Sequence, residues 1–127
     1  MNIPQNLLYS KDHEWINAAD PAAAVVGITV HAQDALGDVV FVDLPAVGTT
    51  FAQGDVAGVV ESVKAAADVY MPVGGEVVEV NGELETAPEK VNADPYGEGW
   101  LVKAKLSAQP SGLLSPEEYE TLPKDAH

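Results

Sequence analysis

The chain has 127 residues, of which 46% are hydrophobic, and it carries a formal net charge of −14 at pH 7. This composition predicts a folded chain, and the scarcity of basic side chains argues against binding to nucleic acid or to an anionic membrane. There is no cysteine, which excludes disulfides, thiolate nucleophiles and thiolate metal sites. We expect a single domain over residues 1–127, with its core at about 7–122.

The first residues have neither the apolar segment of a signal peptide nor the arginine- and serine-rich character of a transit peptide. No apolar run in the chain approaches the length that spans a membrane. We therefore expect a cytoplasmic protein of bacterial character, without membrane association.

The N-terminal third predicts a loose lead-in, three short strands and one short helix. The strands are expected near residues 7–9, 14–17 and 24–28. Thr29 is suited to the N-cap of a helix over residues 30–36, and Gly37 is suited to end that helix.

The middle of the chain returns to β character and contains an internal repeat. The sequence GDVVFV at residues 37–42 is echoed by GEVVEV at residues 75–80. Two such copies predict two similar β halves related by a pseudo-twofold axis. Residues 45–54 are rich in turn formers and predict a loop between strands.

A β-hairpin is predicted between the two copies of this repeat. Within residues 54–80, two runs of β-prone side chains are joined by a short link that contains Lys64. Lys64 is the only lysine or arginine between Lys11 and Lys90, and the three alanines that follow it leave its ammonium group accessible. By position alone, a solubilising surface lysine is an equally good interpretation.

The last third predicts a loop, a strand and a helix. Residues 83–92 favour a short helix or an irregular loop. Residues 100–106 alternate in polarity, which predicts a half-buried strand with Val102 and Ala104 on the inner side and Leu101 on the other.

The clearest helix start lies near the C-terminus, where we expect a helix near residues 116–122. Ser115 is a good N-cap, Pro116 suits the first helical position and Glu118 completes a capping box. Leu114 is expected to pack on Tyr119. Pro123 is expected to stop the helix, and the tail beyond it to be frayed.

Catalysis by the chain's own side chains is not expected. His13, His31 and His127 are far apart in sequence and lack the spacing of metal ligands, so we predict no metal site and no catalytic residue. His31 is expected to cap its short helix or to face solvent.

Five blocks of sequence then point to a family. They are KDHEWI at 11–16, GITVHAQDALGDVVFVDLP at 27–45, ESVKAAAD with the following PVGGEVVEVN at 61–68 and 72–81, NADPYGEGWL at 92–101, and LLSPEEY at 113–119. In content, order and spacing these blocks closely resemble the H protein of the glycine cleavage system. The resemblance covers nearly all of residues 7–122.

This resemblance implies a mostly β fold, the hybrid motif of lipoyl and biotinyl carriers, with two small antiparallel sheets forming a flattened barrel or sandwich. It implies that lipoate is attached covalently to Lys64. Biotinyl lysines typically lie between two methionines, whereas the neighbours of Lys64 are Val63 and Ala65, which disfavours biotin. Glu14 and Asp68 match family positions that could hold the cationic end of the loaded arm.

The resemblance also implies partners. They are a pyridoxal-phosphate glycine decarboxylase (P protein), a tetrahydrofolate-dependent aminomethyltransferase (T protein), a flavin dihydrolipoyl dehydrogenase (L protein) and a lipoate-attaching enzyme. The chain would shuttle the aminomethyl group between the first two as a non-catalytic monomer. Two alternatives stay open here: a lipoyl relay that supplies 2-oxoacid dehydrogenases, and an unmodified β interaction module.

Three positions depart from the family pattern. Asp12 stands where serine is frequent, Ala35 where histidine is frequent, and residues 71–75 read MPVGG instead of the usual Ser-Pro-x-Ser-Gly. These departures concern the holding of the arm and leave the attachment motif unchanged.

Overall fold

The computed structural model describes residues 6–20, 22–107 and 112–121. Within these residues the chain is mostly β, as predicted. The strands are β1 Leu8–Tyr9, β2 Glu14–Asn17, β3 Ala24–Ile28, β4 Val39–Asp43, β5 Thr50–Phe51, β6 Val56–Ser62, β7 Ala66–Tyr70, β8 Gly75–Val80 and β9 Val102–Leu106. The helices are α1 Val30–Leu36, α2 Lys90–Ala93 and α3 Pro116–Glu120, with a 3₁₀ turn at Gly82–Glu85.

The strands form two antiparallel sheets, which confirms the predicted fold class. One sheet has six strands in the order β1-β2-β3-β9-β8-β5, and the other has three in the order β4-β6-β7. Each sheet contains one copy of the sequence repeat, because residues 37–42 lead into β4 and residues 75–80 form β8. The second strand of the lysine hairpin, β7, ends at Tyr70. The chain then passes to the larger sheet, where β8 pairs with β9.

The main apolar core contains residues of both sheets. Ile16, Val26 and Ala104 contribute from the six-stranded sheet, while Val42 and Val60 contribute from the three-stranded sheet; all five are nearly inaccessible to solvent. Burial of apolar surface is the dominant favourable contribution to folding. This shared core fixes the lysine hairpin relative to β2, β3 and α1.

Two helix starts are confirmed in atomic detail. The Thr29 side chain accepts a hydrogen bond from the Ala32 amide, and Gly37 ends α1 with a φ of 80°. Ser115 and Glu118 form the complete capping box of α3, whose first residue is Pro116. Because α3 ends at Glu120, it is shorter than predicted; Pro123, residue 122 and the tail lie outside the described residues, as do residues 1–5 of the lead-in.

Two loop and strand predictions need correction. Residues 45–54 are not entirely a loop, because Thr50 and Phe51 pair with β8 and form β5. Leu101 is buried although the alternation placed it with the exposed side chains. It precedes β9, and its amide donates to the Val26 carbonyl at 2.8 Å, so the strand alternation begins only at Val102.

No helix among the residues that the structure describes is both long enough and apolar enough to cross a membrane.

Candidate functional site

The predicted hairpin is present, and Lys64 lies in its turn. The strands β6 and β7 pair antiparallel as far as Glu61 and Ala66, and the turn is closed by a 2.7 Å hydrogen bond from the Ser62 amide to the Ala65 carbonyl. The Lys64 side chain is exposed and its Cε lies beside Gly37, at the C-terminal end of α1. The fold thus presents a lysine at the tip of a hydrogen-bonded hairpin, next to the end of a helix.

Ser62 is a structural residue of this turn that the sequence analysis missed. Its hydroxyl accepts hydrogen bonds from the amides of Lys64 at 3.3 Å and Ala65 at 3.1 Å. Neither Val63 nor Lys64 has a positive φ, so the turn is not one of the primed types that usually close two-residue hairpins. Side-chain bonds from serine stabilise such turns locally, and a serine two residues before the lysine was the available signal.

A cleft of about 310 Å³ begins beside this tip. The three alanines that follow Lys64 line it, and α1 forms its opposite wall. Its apolar lining is completed by Ile28, Leu36, Val60 and Val69. A flexible chain attached to Lys64 could therefore lie along an apolar surface without a change in the hairpin.

Both carboxylates that the resemblance assigned to arm holding line the same cleft. Glu14 is 2% exposed, and Asp68 is exposed on the edge strand β7. Asp12, which the sequence analysis noted only as a departure from the family, is a third carboxylate of this lining. Asp68 is distant in sequence from Asp12 and Glu14, and the packing of the hairpin against the start of β2 brings it to the same cleft.

Glu14 is held by two hydrogen bonds to its carboxylate. The Ser10 hydroxyl donates to Oε1 at 2.7 Å and the Tyr70 amide donates to Oε2 at 3.1 Å. The second bond satisfies an amide on β7, an edge strand whose free groups would otherwise need a partner. Burial raises the pKa of Glu14 to about 7, although both hydrogen bonds oppose this shift.

The structure corrects the prediction for His31. It is half-buried and its ring centroid lies 4.4 Å from that of His13, so it neither caps α1 nor points freely into solvent. The two histidines are distant in sequence, but the pairing of β2 with β3 places Glu14 opposite Ile28 and brings both rings to the cleft wall. In the described part of the chain, no group of three or more His, Asp or Glu side chains could hold a metal ion.

His13 also connects the cleft to the C-terminal helix. Its Nδ1 lies 2.8 Å from the Tyr119 hydroxyl, which is also 2.8 Å from the Thr29 Oγ1. Burial raises the pKa of Tyr119 to about 12, so its hydroxyl keeps its proton and can donate one hydrogen bond while accepting another. His13 has a φ of 69°, a left-handed conformation that is uncommon outside glycine.

Comparison with known proteins gives one family. A sequence profile described as "Glycine cleavage H-protein" matches residues 7–126. The glycine cleavage system H protein of Rubrobacter xylanophilus is 60% identical over 117 residues, which cover 92% of this chain and 91% of the relative. That of Herpetosiphon aurantiacus is 57% identical over 119 residues, covering 94% and 92%.

A solved structure agrees with the sequence matches. The crystal structure of a glycine cleavage system H protein from Mycobacterium marinum superimposes with a TM-score of 0.87 at 43% identity, covering 92% of this chain and 95% of that one. The lysine hairpin, the cleft beside it and the capped C-terminal helix all lie within the matched span. The chain belongs to the glycine cleavage H-protein family.

Proposed function

We propose that this chain is a lipoyl carrier of the glycine cleavage system, with the lipoyl group attached to Lys64 through an amide bond. The single observation that carries the proposal is the position of Lys64, exposed at a hairpin tip beside a cleft with an apolar and acidic lining. The whole chain acts as one carrier domain and as a monomer. It supplies no catalytic side chain of its own.

Attachment requires that Lys64 reach an active site on another protein. The Lys64 ammonium group would lose one proton to become a nucleophilic amine and a second as its Nζ forms the amide bond to the activated carboxyl carbon of lipoate. The bond between that carbon and the phosphate oxygen breaks, and AMP leaves with the electron pair. The exposed tip suits this step, because neither strand of the hairpin has to open. We infer a lipoate-attaching enzyme as the partner for it.

The cleft fits the attached group. Its apolar walls suit a hydrocarbon chain, and its carboxylates suit a cationic amine at the far end of that chain. When bound, the lipoyl group supplies the redox and group-transfer chemistry of the cycle. Tethering raises the effective concentration of the carried group at each partner: glycine decarboxylase, aminomethyltransferase and dihydrolipoyl dehydrogenase.

Glu14 and Asp68 are the residues that we propose to hold the amine. An ammonium group within about 4–6 Å of a carboxyl favours the ionised form of the acid and lowers its pKa. Glu14 would therefore release its proton when the cationic arm enters and bind one again when the arm leaves. Asp68, which is exposed, would contribute charge at the rim.

The pathway role is tested in a bacterial strain that lacks its own carrier. Wild-type chain is expected to restore glycine cleavage, Lys64→Arg to restore none, and Lys105→Arg, a change at another exposed lysine, to behave as wild type. Restoration by Lys64→Arg would exclude the carrier function. Lipoylation of 2-oxoacid dehydrogenases without glycine cleavage would instead indicate a lipoyl relay.

A further inference from the structure

Three exposed apolar side chains lie in the hairpin turn that carries Lys64 and on the strand β4 paired with it, and they have no role in the function proposed above. They are Val40, Phe41 and Val63, which are 52%, 50% and 71% exposed. We call these three residues the tip patch. Scattered exposed apolar residues are common on proteins, so the tip patch is informative only through its position and surroundings.

The tip patch is built by a β-bulge. The register between β4 and β6 shifts between Val39 and Phe41, so that Val40 and Phe41 are both exposed, whereas Val39 and Val42 on either side of them are buried in the core. Bulges redirect side chains and are frequent next to functional sites. Without the shift, one of the two exposed residues would face the core.

The tip patch is fixed next to the lysine by hydrogen bonds and strand pairing. The Val63 amide donates to the Asp38 carbonyl at 3.2 Å, which joins the hairpin turn to the segment leading into β4. Phe41 pairs with Glu61, three residues before Lys64. Since strand residues advance about 3.4 Å each, the backbone of Phe41 lies on the order of 10 Å along the strand direction from that of Lys64.

Three exposed acidic side chains lie near the tip patch. Glu61 pairs with Phe41, and the carbonyl of Asp38 accepts the hydrogen bond from the Val63 amide. Asp43 follows two residues after Phe41 on β4. An apolar centre with an acidic rim is complementary to a partner surface that has an apolar centre with a lysine- or arginine-rich rim. Such charge complementarity raises the rate of association as well as specificity.

We infer that the tip patch is the docking surface for the lipoate-attaching enzyme, an inference that rests on the proposed function. That enzyme must bring Lys64 Nζ itself to its reacting carboxyl carbon, so the surface around the hairpin tip, including the neighbouring strand β4, lies in its interface. The enzymes that act on the loaded group meet the far end of a long arm and have no such requirement. The predicted enzyme surface is apolar at its centre and basic at its rim.

The test compares rates of lipoyl transfer to purified, unmodified chain, supplied with lipoate, ATP and the attaching enzyme. Phe41→Gln and Val63→Thr are expected to raise KM about tenfold with little change in kcat, because apolar anchors at the centre of an interface carry much of its affinity. Val47→Thr and Val78→Thr are the matched controls, at valines that are 60% and 38% exposed and lie outside the tip patch. Both controls are expected to retain the wild-type KM.

Each other outcome overturns the inference in a recognisable way. If wild-type chain gains no lipoyl group, the proposed function fails together with the docking surface. If wild type is modified and both patch variants keep its KM, only the docking surface fails. If fully lipoylated Phe41→Gln loses glycine-decarboxylation exchange, the tip patch serves the decarboxylase. If wild type sediments as a dimer and Phe41→Gln as a monomer, the tip patch joins two copies of the chain.

Discussion

Glu14 is an acid whose protonation is set by its place in the fold. Its side chain is almost completely buried, and desolvation raises its pKa from 4.5 to about 7 despite two hydrogen bonds to the carboxylate. The folded chain therefore binds this proton more tightly than the unfolded chain does. Linkage then requires that Glu14's contribution to stability is fully present below about pH 4.5 and is lost as the pH rises to about 7.

Glu14→Gln is expected to remove this pH dependence. Relative to wild type, the variant's free energy of unfolding should increase between pH 4.5 and 7, by at most about 3 kcal/mol, since one pKa unit corresponds to about 1.4 kcal/mol. Urea unfolding at several pH values measures the difference. Glu85→Gln, at an exposed acid, is the matched control for the substitution itself. Parallel pH profiles for wild type and Glu14→Gln would refute the assignment of a raised pKa to Glu14.

At the scale of elements, the pairing of β2 with β3 places Glu14 and His13 at the cleft. This pairing requires the Trp15 ring to lie close to the backbone of Gly27. Trp15 pairs with Gly27, and a Cβ at Gly27 would lie 2.7 Å from atoms of the indole ring. The ring cannot easily withdraw, because it is 2% exposed and its Nε1 donates to the Pro95 carbonyl at 3.0 Å. Only glycine fits opposite this tryptophan.

Gly27→Ala is expected to destabilise the fold by about 1–3 kcal/mol, the usual cost of overpacking a filled site. Gly82→Ala is the matched control, because a Cβ there meets no atom within 4 Å and the residue has no positive φ. The control should lie within about 0.5 kcal/mol of wild type. Denaturant unfolding measures the free energy of unfolding of both variants and of wild type. Equal values for Gly27→Ala and Gly82→Ala would mean that β3 or the indole ring can shift at little cost.

The Tyr119 hydroxyl links the C-terminal helix to the wall of the cleft. Tyr119→Phe keeps the aromatic stacking on Tyr9, whose ring centroid is 4.8 Å away, but removes the hydrogen bonds to His13 and Thr29. The expected loss is about 1–3 kcal/mol, the cost of leaving buried polar groups unsatisfied. Glu120→Gln, on the exposed side of the same helix, should change stability little. An unchanged midpoint for Tyr119→Phe would show that the hydroxyl contacts do not stabilise α3.

For the whole molecule, sequence reasoning was most successful where the signal is local. The Thr29 cap, the Ser115 capping box and the lysine hairpin each depend on residues a few positions apart, and all are confirmed. The features that the sequence did not predict depend on contacts between distant segments. Nothing local predicts that His13 lies on His31, or that residues 50–51 pair with the strand β8.

Some features of the candidate site could also be predicted from the sequence, and others could not. Lys64 can be predicted as the attachment residue from the sequence, because the hairpin pattern and the family resemblance both single out that position. The burial of Glu14 could not be predicted, because a glutamate before a tryptophan is ordinarily an exposed residue. Its burial follows from the packing of β7 against the start of β2, where the Tyr70 amide meets the carboxylate. The bulge that exposes both Val40 and Phe41 could not be predicted either, since both residues have ordinary strand propensity.

The carrier role depends first on whether Lys64 is the lysine that is modified. The most direct measurement is the intact mass of wild-type chain, Lys64→Arg and Lys105→Arg before and after incubation with a lipoate-attaching enzyme, lipoate and ATP, followed by peptide mapping of the modified residue. We predict one added lipoyl group on wild type and on Lys105→Arg, located at Lys64, and none on Lys64→Arg. Addition of the group to Lys64→Arg, or at any other lysine of wild type, would contradict the account.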